Sequence, residues 1–142
     1  MKVKILKRHP SAVIPHYATD GAGCFDICSV VSVVLRPQCR EIIYTGLSFE
    51  IPEGHVLLVY SRSGHAAHGI SLANSVGVID SDYRGELKVM LHNRSTLGFY
   101  EVNPGDRVAQ GMIIPIPKIE FELVDTLSET ERGMGGFGST GK

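Results

Sequence analysis

The sequence predicts an all-β fold, either a jelly roll or a β-barrel built from many short strands. Short runs of apolar or alternating residues recur between turn signals, and residues 86–89 alternate polar and apolar side chains as a half-buried strand does. No long segment combines helical periodicity with capping residues. The runs that we expect to form strands are residues 30–35, 41–45, 55–60, 86–91, 107–116 and 119–124.

Turn chemistry separates these runs from one another. Pro52-Glu53-Gly54, Leu97-Gly98 and Asn103-Pro104-Gly105-Asp106 combine residues that preset or tolerate the backbone angles of tight turns. No internal repeat and no linker interrupts the chain. We therefore expect one β domain over residues 1–128, followed by a flexible glycine-rich arm over residues 129–142.

Composition limits the classes of function. The 142 residues are 43% hydrophobic and 20% charged, with a formal net charge of -1. This balance is typical of a soluble globular domain and gives no general basic field for nucleic acid or membrane surfaces. No apolar stretch is long enough to span a bilayer, and the N-terminus lacks the apolar run of a signal peptide. Three cysteines that cannot all pair suggest reduced thiols and a cytoplasmic location.

The C-terminal segment, residues 132–142, is rich in glycine but carries an arginine, a phenyl ring and two hydroxyls at Arg132, Phe137, Ser139 and Thr140. A guanidinium for charge, a ring for stacking, and amides and hydroxyls for oxygen atoms are the groups needed to close over a phosphorylated base. A frayed, solvated terminus is the plain alternative, since glycine opposes ordering.

A carboxylate follows the first glycine-rich turn. Residues 20–27 place Asp26 between the turn at Gly21 and Gly23 and an apolar strand. Asp26 could orient a metal ion or its water, and a turn-capping aspartate is the structural alternative.

Two further polar clusters suit phosphate. Arg62, Ser63 and Gly64 follow a predicted strand and combine a guanidinium, a hydroxyl and a glycine that permits close backbone approach. Gln110 lies where a turn enters another strand, and its amide could donate to a phosphate oxygen. The alternatives are an ordinary polar loop and a buried structural glutamine.

Residues 72–86 place glycines and acids between two apolar arms and could fold back as a hairpin. The backbone of such a hairpin, with the amide of Asn74, offers donors and acceptors that imitate the edge of a partner base. If the stretch is extended, Asp80 and Asp82 point the same way, and one of them could be a general base for water. A solvated acidic turn is the alternative.

Residues 65–68 offer two histidines, His65 and His68, without a convincing third and fourth ligand for zinc. Cys24 and Cys28 likewise lack a second cysteine pair. We therefore do not expect a zinc site.

Taken in order, these clusters resemble the five motifs of the homotrimeric all-β dUTPase family, over about residues 4–141. The most specific stretches are Arg62-Ser63-Gly64, the run Gly77-Val78-Ile79-Asp80-Ser81-Asp82-Tyr83-Arg84-Gly85, and Arg132-Gly133-Met134-Gly135-Gly136-Phe137-Gly138.

This resemblance implies a jelly roll that forms a homotrimer with three active sites at subunit interfaces, where the tail of one subunit closes over a neighbour's pocket. It implies hydrolysis of dUTP to dUMP and pyrophosphate, with Mg²⁺ on the triphosphate.

The resemblance also implies roles for individual residues. Asp80 would be the general base for the water that attacks the α-phosphorus, and Asp26 would touch Mg²⁺ through water. Tyr83 would pack under the deoxyribose and leave no room for a 2′-hydroxyl. The uracil-binding residues would be Asn74, Gly77, Ile79 and the stacking ring of Phe137. The phosphate-binding residues would be Arg62, Ser63, Gly64, Gln110, Arg132, Gly138 and Ser139.

Three positions depart from the family pattern. The first motif is Gly23-Cys24-Phe25-Asp26, or has one extra residue, which puts its local turn in doubt. Ser61 replaces the usual proline before Arg62 and is expected to loosen that turn. Gly111 stands where a larger apolar residue is common and is expected to weaken strand packing.

Two alternatives remain at this stage. The dCTP deaminase family shares the fold, but it needs a glutamate to activate water against cytosine, whereas the Asp80 region and the Phe137 tail match the hydrolase. A protein of this fold could instead act mainly by binding a regulatory protein partner. Such a binder would have degraded catalytic positions, whereas this chain keeps Asp80, Arg62, Tyr83 and Phe137.

Overall fold

The computed structural model describes residues 1–139 and 141, and its regular structure lies between Lys4 and Pro115. Eleven strands and one short helix follow one another in the part of the chain that is described. Their bounds are β1 Lys4–Lys7, β2 Phe25–Cys28, β3 Val33–Leu35, β4 Arg40–Tyr44, β5 Leu47–Glu50, β6 His55–Tyr60, α1 Ser63–Ala67, β7 Ile70–Leu72, β8 Gly77–Ile79, β9 Lys88–Asn93, β10 Tyr100–Val102 and β11 Arg107–Pro115.

The strands form four sheets in which every pair is antiparallel. The largest has the order β2-β11-β6-β8, the next has the order β4-β9-β7, and β1-β5 and β10-β3 are two-stranded. The two larger sheets share one apolar core, to which Ile27 and Leu57 contribute from the first sheet and Ile43 and Leu91 from the second. The all-β, jelly-roll-like prediction is confirmed.

Five of the six predicted runs overlap a strand, and β6 has the predicted bounds. Residues 119–124 do not form a strand, although Ile119, Phe121 and Leu123 recur at every second position. The side chains of these three residues are largely exposed. An alternating run becomes a strand only beside a partner edge, and this run pairs with none among residues 1–139 and 141. The helix α1 was not predicted, because five residues are too few to show helical periodicity.

The segment after β7 does not form the simple hairpin that the sequence suggested. Its two arms diverge, because β7 pairs with β9 in one sheet while β8 pairs with β6 in the other. The tight turn between them uses Ser75 at a positive φ of 65°. This divergence opens a gap between the two larger sheets.

Gly111 lies in the middle of the four-stranded sheet, opposite Phe25 on one side and Val59 on the other. A Cβ at this glycine would lie 2.8 Å from Cε2 of Phe25 and 3.0 Å from Cδ1 of Leu57. The Phe25 ring therefore fills the space that a larger residue would take. The expectation that Gly111 weakens strand packing is wrong for this chain.

Candidate active site

The first polar cluster of the site is centred on Asp26 in β2. Its Oδ1 lies 3.2 Å from Nε of Arg62, which follows β6, and its Oδ2 lies 3.2 Å from Nη1 of Arg107, which begins β11. The Asp26 side chain is only 10% exposed. The carboxylate therefore holds two guanidinium groups at one end of the four-stranded sheet, where they form a compact positive surface suited to anions.

Gln110 belongs to the same cluster, because β11 aligns it with Asp26 on one neighbour and Tyr60 on the other. Its Nε2 donates to the carbonyl oxygen of Ser61 at 3.0 Å. A register shift between Arg107 and Ala109 makes a β-bulge here. Such bulges change the direction of side chains. This bulge lies between Arg107, which contacts Asp26, and Gln110, which contacts Ser61.

Ser61 does not loosen the turn before Arg62, contrary to the expectation from the sequence. Its Oγ accepts a hydrogen bond from the Leu72 amide at 2.8 Å, and its carbonyl holds Gln110. Arg62 is extended, and Ser63 and Gly64 then begin α1. The first amides of a helix have no partner within the helix, so the Ser63 and Gly64 amides are not used by α1 itself and lie beside the arginine cluster.

A second group of predicted residues lines a cavity of ≈ 200 Å³ between the two larger sheets. Asn74, Gly77 and Ile79 lie on one side of it, and Lys88 and Met90 of β9 lie on the other. Gly77 packs closely on β6, since a Cβ there would lie 3.2 Å from Cβ of Val59. The cavity thus combines apolar walls with an amide side chain and strand backbone, which suits a flat, polar-edged ring.

The side chain of Tyr83 packs directly against the backbone of Gly85. Its hydroxyl donates to the Glu86 carbonyl at 3.1 Å, and a Cβ at Gly85 would overlap the hydroxyl oxygen of Tyr83. Only glycine at position 85 therefore allows this orientation of the ring. Gly85 is a site residue that was not selected from the sequence, although it lies within the motif that carries the resemblance.

Asp80 follows β8 and is exposed, on the wall of a cavity of ≈ 590 Å³ that also includes Asp82, Arg84, His55 and Lys118. The Tyr83 amide donates to the Asp80 carbonyl at 3.2 Å, so residues 80–83 form a turn. The backbone is therefore not extended here. Asp80 and Asp82 were expected to point the same way only if it were extended, so that condition is not met. Arg84 and Lys118, the latter paired with Glu53 at 3.6 Å, place cations among these carboxylates, which suits a charged ligand.

The C-terminal segment makes local hydrogen bonds. The Arg132 Nε donates to the Gly135 carbonyl at 2.9 Å, and the Ser139 amide donates to the Gly136 carbonyl at 3.1 Å. Phe137 is fully exposed at a positive φ of 51°, and Gly138 follows it at a φ of 91°. Thr140 and Lys142 lie outside the described residues. Within the described residues, no hydrogen bond or ion pair joins this segment to the arginine cluster or to the Asp80 turn.

His65 and His68, which we set aside as zinc ligands, have different surroundings. His65 is buried, its ring meets Tyr100 edge to face at 5.5 Å, and its Nδ1 has no hydrogen-bond partner among residues 1–139 and 141. Burial lowers the pKa of His65, and the Arg62 charge lowers it further. His68 Nδ1 lies 2.8 Å from the Gly64 carbonyl. No group of three potential metal ligands occurs among the described residues.

Comparisons with known proteins decide the family. The model of the dUTPase family matches residues 10–141. The chain belongs to the dUTPase family. It is 48% identical to the deoxyuridine 5′-triphosphate nucleotidohydrolase of Wolinella succinogenes over 143 aligned positions, covering 100% of this chain and 95% of that protein. It is 49% identical to the same enzyme of Nautilia profundicola, covering 100% of both.

Solved dUTPase structures share the fold. The dUTPase of Staphylococcus bacteriophage 80alpha with dUPNHPP has a TM-score of 0.93 at 30% identity and covers 99% of both chains; phage dUTPases are described there as controlling the transfer of virulence genes. A variant of the dUTPase from phage phi11 of S. aureus, with a structural Mg(II) ion, has a TM-score of 0.83 at 27% identity and covers 89% of this chain and 98% of that one.

The residues of this dUTPase-family chain fit one magnesium ion that is held mainly by the phosphates of a bound molecule and only in part by the protein. Mg²⁺ takes oxygen donors, keeps several waters and is commonly held by one or two carboxylates together with phosphates. Asp26 offers one carboxylate whose oxygens each retain acceptor capacity beside their arginine contacts. A complete protein cage is not needed for such an ion.

Proposed function

We propose that this chain hydrolyses dUTP to dUMP and pyrophosphate, and so keeps uracil out of DNA, with Asp80 as the general base. One observation carries the proposal. One segment, residues 74–85, carries Asn74 on the wall of a ring-sized cavity, the Asp80 carboxylate on the wall of a second cavity, and the Tyr83 ring packed on Gly85. These would serve as the uracil site, the general base at the α-phosphate and the wall beside the deoxyribose.

Recognition of uracil follows from the cavity between the sheets. The backbone of β8 at Gly77 and Ile79 and the amide of Asn74 present fixed donors and acceptors to the ring edge. Cytosine differs from uracil at C4 and N3, so it would place donor against donor. Leaving such groups unpaired in a closed site gives strong discrimination.

The chemical step needs one proton acceptor and one nucleophile. Asp80 takes a proton from a water molecule as the water oxygen bonds to the α-phosphorus. The bond between the α-phosphorus and the bridging oxygen breaks, and pyrophosphate leaves with the bonding electron pair. Tyr83, fixed three residues away, leaves no room for a 2′-hydroxyl.

The phosphates would be held by the cluster around Asp26. Arg62 and Gln110 supply donors from side chains, and Ser63 and Gly64 supply them from the start of α1. Mg²⁺ would be held by the phosphates and, through water, by Asp26. When bound, it supplies a positive charge that offsets the charge of the triphosphate.

We propose that the site is completed in a homotrimer. In the described part of one chain, the arginine cluster and the Asp80 turn have no direct polar contact, and the tail bonds only to itself. The exposed side chains of Ile119, Phe121 and Leu123 offer an apolar arm that one chain leaves uncovered. Residues 1–128 would form the domain, and residues 129–142 would close over a neighbour's site.

In this closed state each tail residue has a proposed role. Arg132 would pair with the γ-phosphate and Phe137 would stack on uracil, while Gly138 and Ser139 would complete the phosphate cradle. The exposure of Phe137 supports this role, because a ring without packing in the free chain is available to a ligand. Closure would exclude all water except the nucleophile.

The experiment is turnover of dUTP, dCTP, dTTP and UTP by the purified protein, with magnesium and with a chelator, in water enriched in ¹⁸O. We expect dUMP and pyrophosphate from dUTP alone, dependence on magnesium, and the label in dUMP. Label in pyrophosphate would contradict attack at the α-phosphorus. Deamination of dCTP would move the chain to the other enzyme class.

Two earlier expectations stay predictions. A regulatory protein partner would become the leading interpretation if no nucleotide were turned over. The cytoplasmic location is supported by three free thiols, which suit a reducing compartment. None of the described helices is both long and apolar enough to cross a membrane.

A further inference from the structure

Arg8, which follows β1, reaches a loop of the proposed active site that is 76 residues away in sequence. Its Nη2 donates to the Arg84 carbonyl at 2.9 Å, and its Nε donates to Oγ of Ser48 in β5 at 2.5 Å. A guanidinium presents these donors in one rigid plane. Arg8 therefore fixes the Arg84 peptide and the Ser48 hydroxyl at a set distance from each other.

The contact continues from Ser48 into the same loop. The Ser48 hydroxyl donates to the Gly85 carbonyl at 2.8 Å, and Ser48 is only 5% exposed. Next to it, the Gly46 amide donates to Oε1 of Glu86 at 2.8 Å, and the Arg8 amide donates to the Gly46 carbonyl at 2.7 Å. Three successive residues, 84–86, are thus held by Arg8, by Ser48 of β5 and by Gly46, which precedes β5.

Those three residues set the position of Tyr83. Its hydroxyl bonds to the Glu86 carbonyl, and its ring packs against Gly85 at a separation that no Cβ could share. The Arg84 side chain also spans the turn before it, since Nη1 donates to the Ser81 carbonyl at 2.6 Å. A shift of the Gly85 peptide would therefore move the Tyr83 ring.

We propose that Arg8 and Ser48 are positioning residues that hold Tyr83 as the wall against a 2′-hydroxyl. The inference rests on the proposed function, because Tyr83 acts as a sugar wall only if the chain binds dUTP. Neither residue touches the substrate in this account. Their effect is on selectivity, since a wall displaced by a fraction of an ångström admits one more oxygen atom.

The test compares Arg8→Ala, Arg8→Lys and Ser48→Ala with the unmodified protein. Lys4→Ala is the matched control, because Lys4 lies in the preceding strand β1 and pairs with Glu50 at 2.8 Å, and its side chain bonds to none of the described residues 84–86. The measured quantity is the ratio of kcat/KM for dUTP to that for UTP. We expect the ratio to fall roughly 10- to 100-fold in Arg8→Ala, less in Ser48→Ala, and not at all in Lys4→Ala.

A double variant separates positioning from general stability. If Arg8 acts through Tyr83, Arg8→Ala should lower the ratio little further in a Tyr83→Ala background. Arg8→Lys keeps the charge, but its ammonium cannot bridge two acceptors in one plane, so it should still lower the ratio. An unchanged ratio in Arg8→Lys and Ser48→Ala would overturn the inference. Failure of the unmodified protein to turn over dUTP would instead overturn the proposed function, and this inference with it.

Discussion

Replacing Asp26 by asparagine tests the structural centre of the phosphate cluster. The substitution keeps the shape of the side chain but removes the charge that two guanidinium groups share at 3.2 Å each. Arg62 and Arg107 then face each other without a counter-charge. We expect a less stable protein in which Arg62 is poorly oriented for phosphate.

The magnitude follows from the geometry. At an effective dielectric constant of about 20, each contact carries about 5 kcal/mol of Coulomb attraction, most of which desolvation offsets. Breaking a fully buried pair costs about 3–5 kcal/mol, but the Arg107 side chain is 52% exposed, which reduces its share. We expect a net loss of about 2–3 kcal/mol, or roughly 6–12 °C in Tm for a chain of this size.

The assay is thermal unfolding followed by circular dichroism at one fixed protein concentration, because assembly makes Tm depend on concentration. Glu50→Gln is the control, since it removes a carboxylate from the exposed Lys4 pair and should leave Tm unchanged within error. At a temperature where both proteins are folded, kcat/KM for dUTP should fall in Asp26→Asn. A Tm within about 1 °C of the unmodified protein would refute the argument.

Three other perturbations have definite outcomes. Gly111→Ala should cost about 1–3 kcal/mol of stability in chemical denaturation by crowding Phe25, and Phe25→Leu should recover part of it; equal costs in both backgrounds would contradict this packing. Burial lowers the pKa of His65 below its ordinary 6.5. The charges of Arg62 and His68 lower this pKa further, whereas the charge of Asp106 raises it. The unfolded chain therefore takes up the proton first, so the stability contribution is full above pH 6.5 and is lost as pH falls toward the folded-state pKa. Thermal melts from about pH 8 to 5 should be less pH-dependent in His65→Leu, and equal slopes would contradict the assignment. Deleting residues 132–142 should lower kcat at least roughly 10-fold and leave the assembly intact by light scattering, whereas dissociation would make the tail structural.

The fold was predictable where local sequence decides structure. The turn at Pro52-Glu53-Gly54 and the apolar run after it predict β6 with its observed bounds. Residues 119–124 show the limit of this reasoning, because alternation indicates a strand's faces but not whether a partner edge is present. The effect of Gly111 also required the structure, since only the β2–β11 register places the Phe25 ring over it.

The candidate site was predictable by residue type but not by contact. Asp26, Arg62 and Gln110 were selected separately, and the structure brings them together through the central strand β11. Arg107 was missed because its pairing with Asp26 joins residues 81 apart. Arg8 gave no signal at all, since one arginine near the N-terminus looks like any surface cation until its two acceptors are known.

The most direct test of the account is Asp80→Asn, measured for turnover and for binding. Asparagine has nearly the same shape as aspartate but cannot accept the proton of the attacking water. We predict that kcat for dUTP falls by a factor on the order of 10²–10⁴, while the Kd for the α,β-imido analogue of dUTP stays within a few-fold. Turnover close to that of the unmodified protein would contradict the assignment of Asp80 as the base.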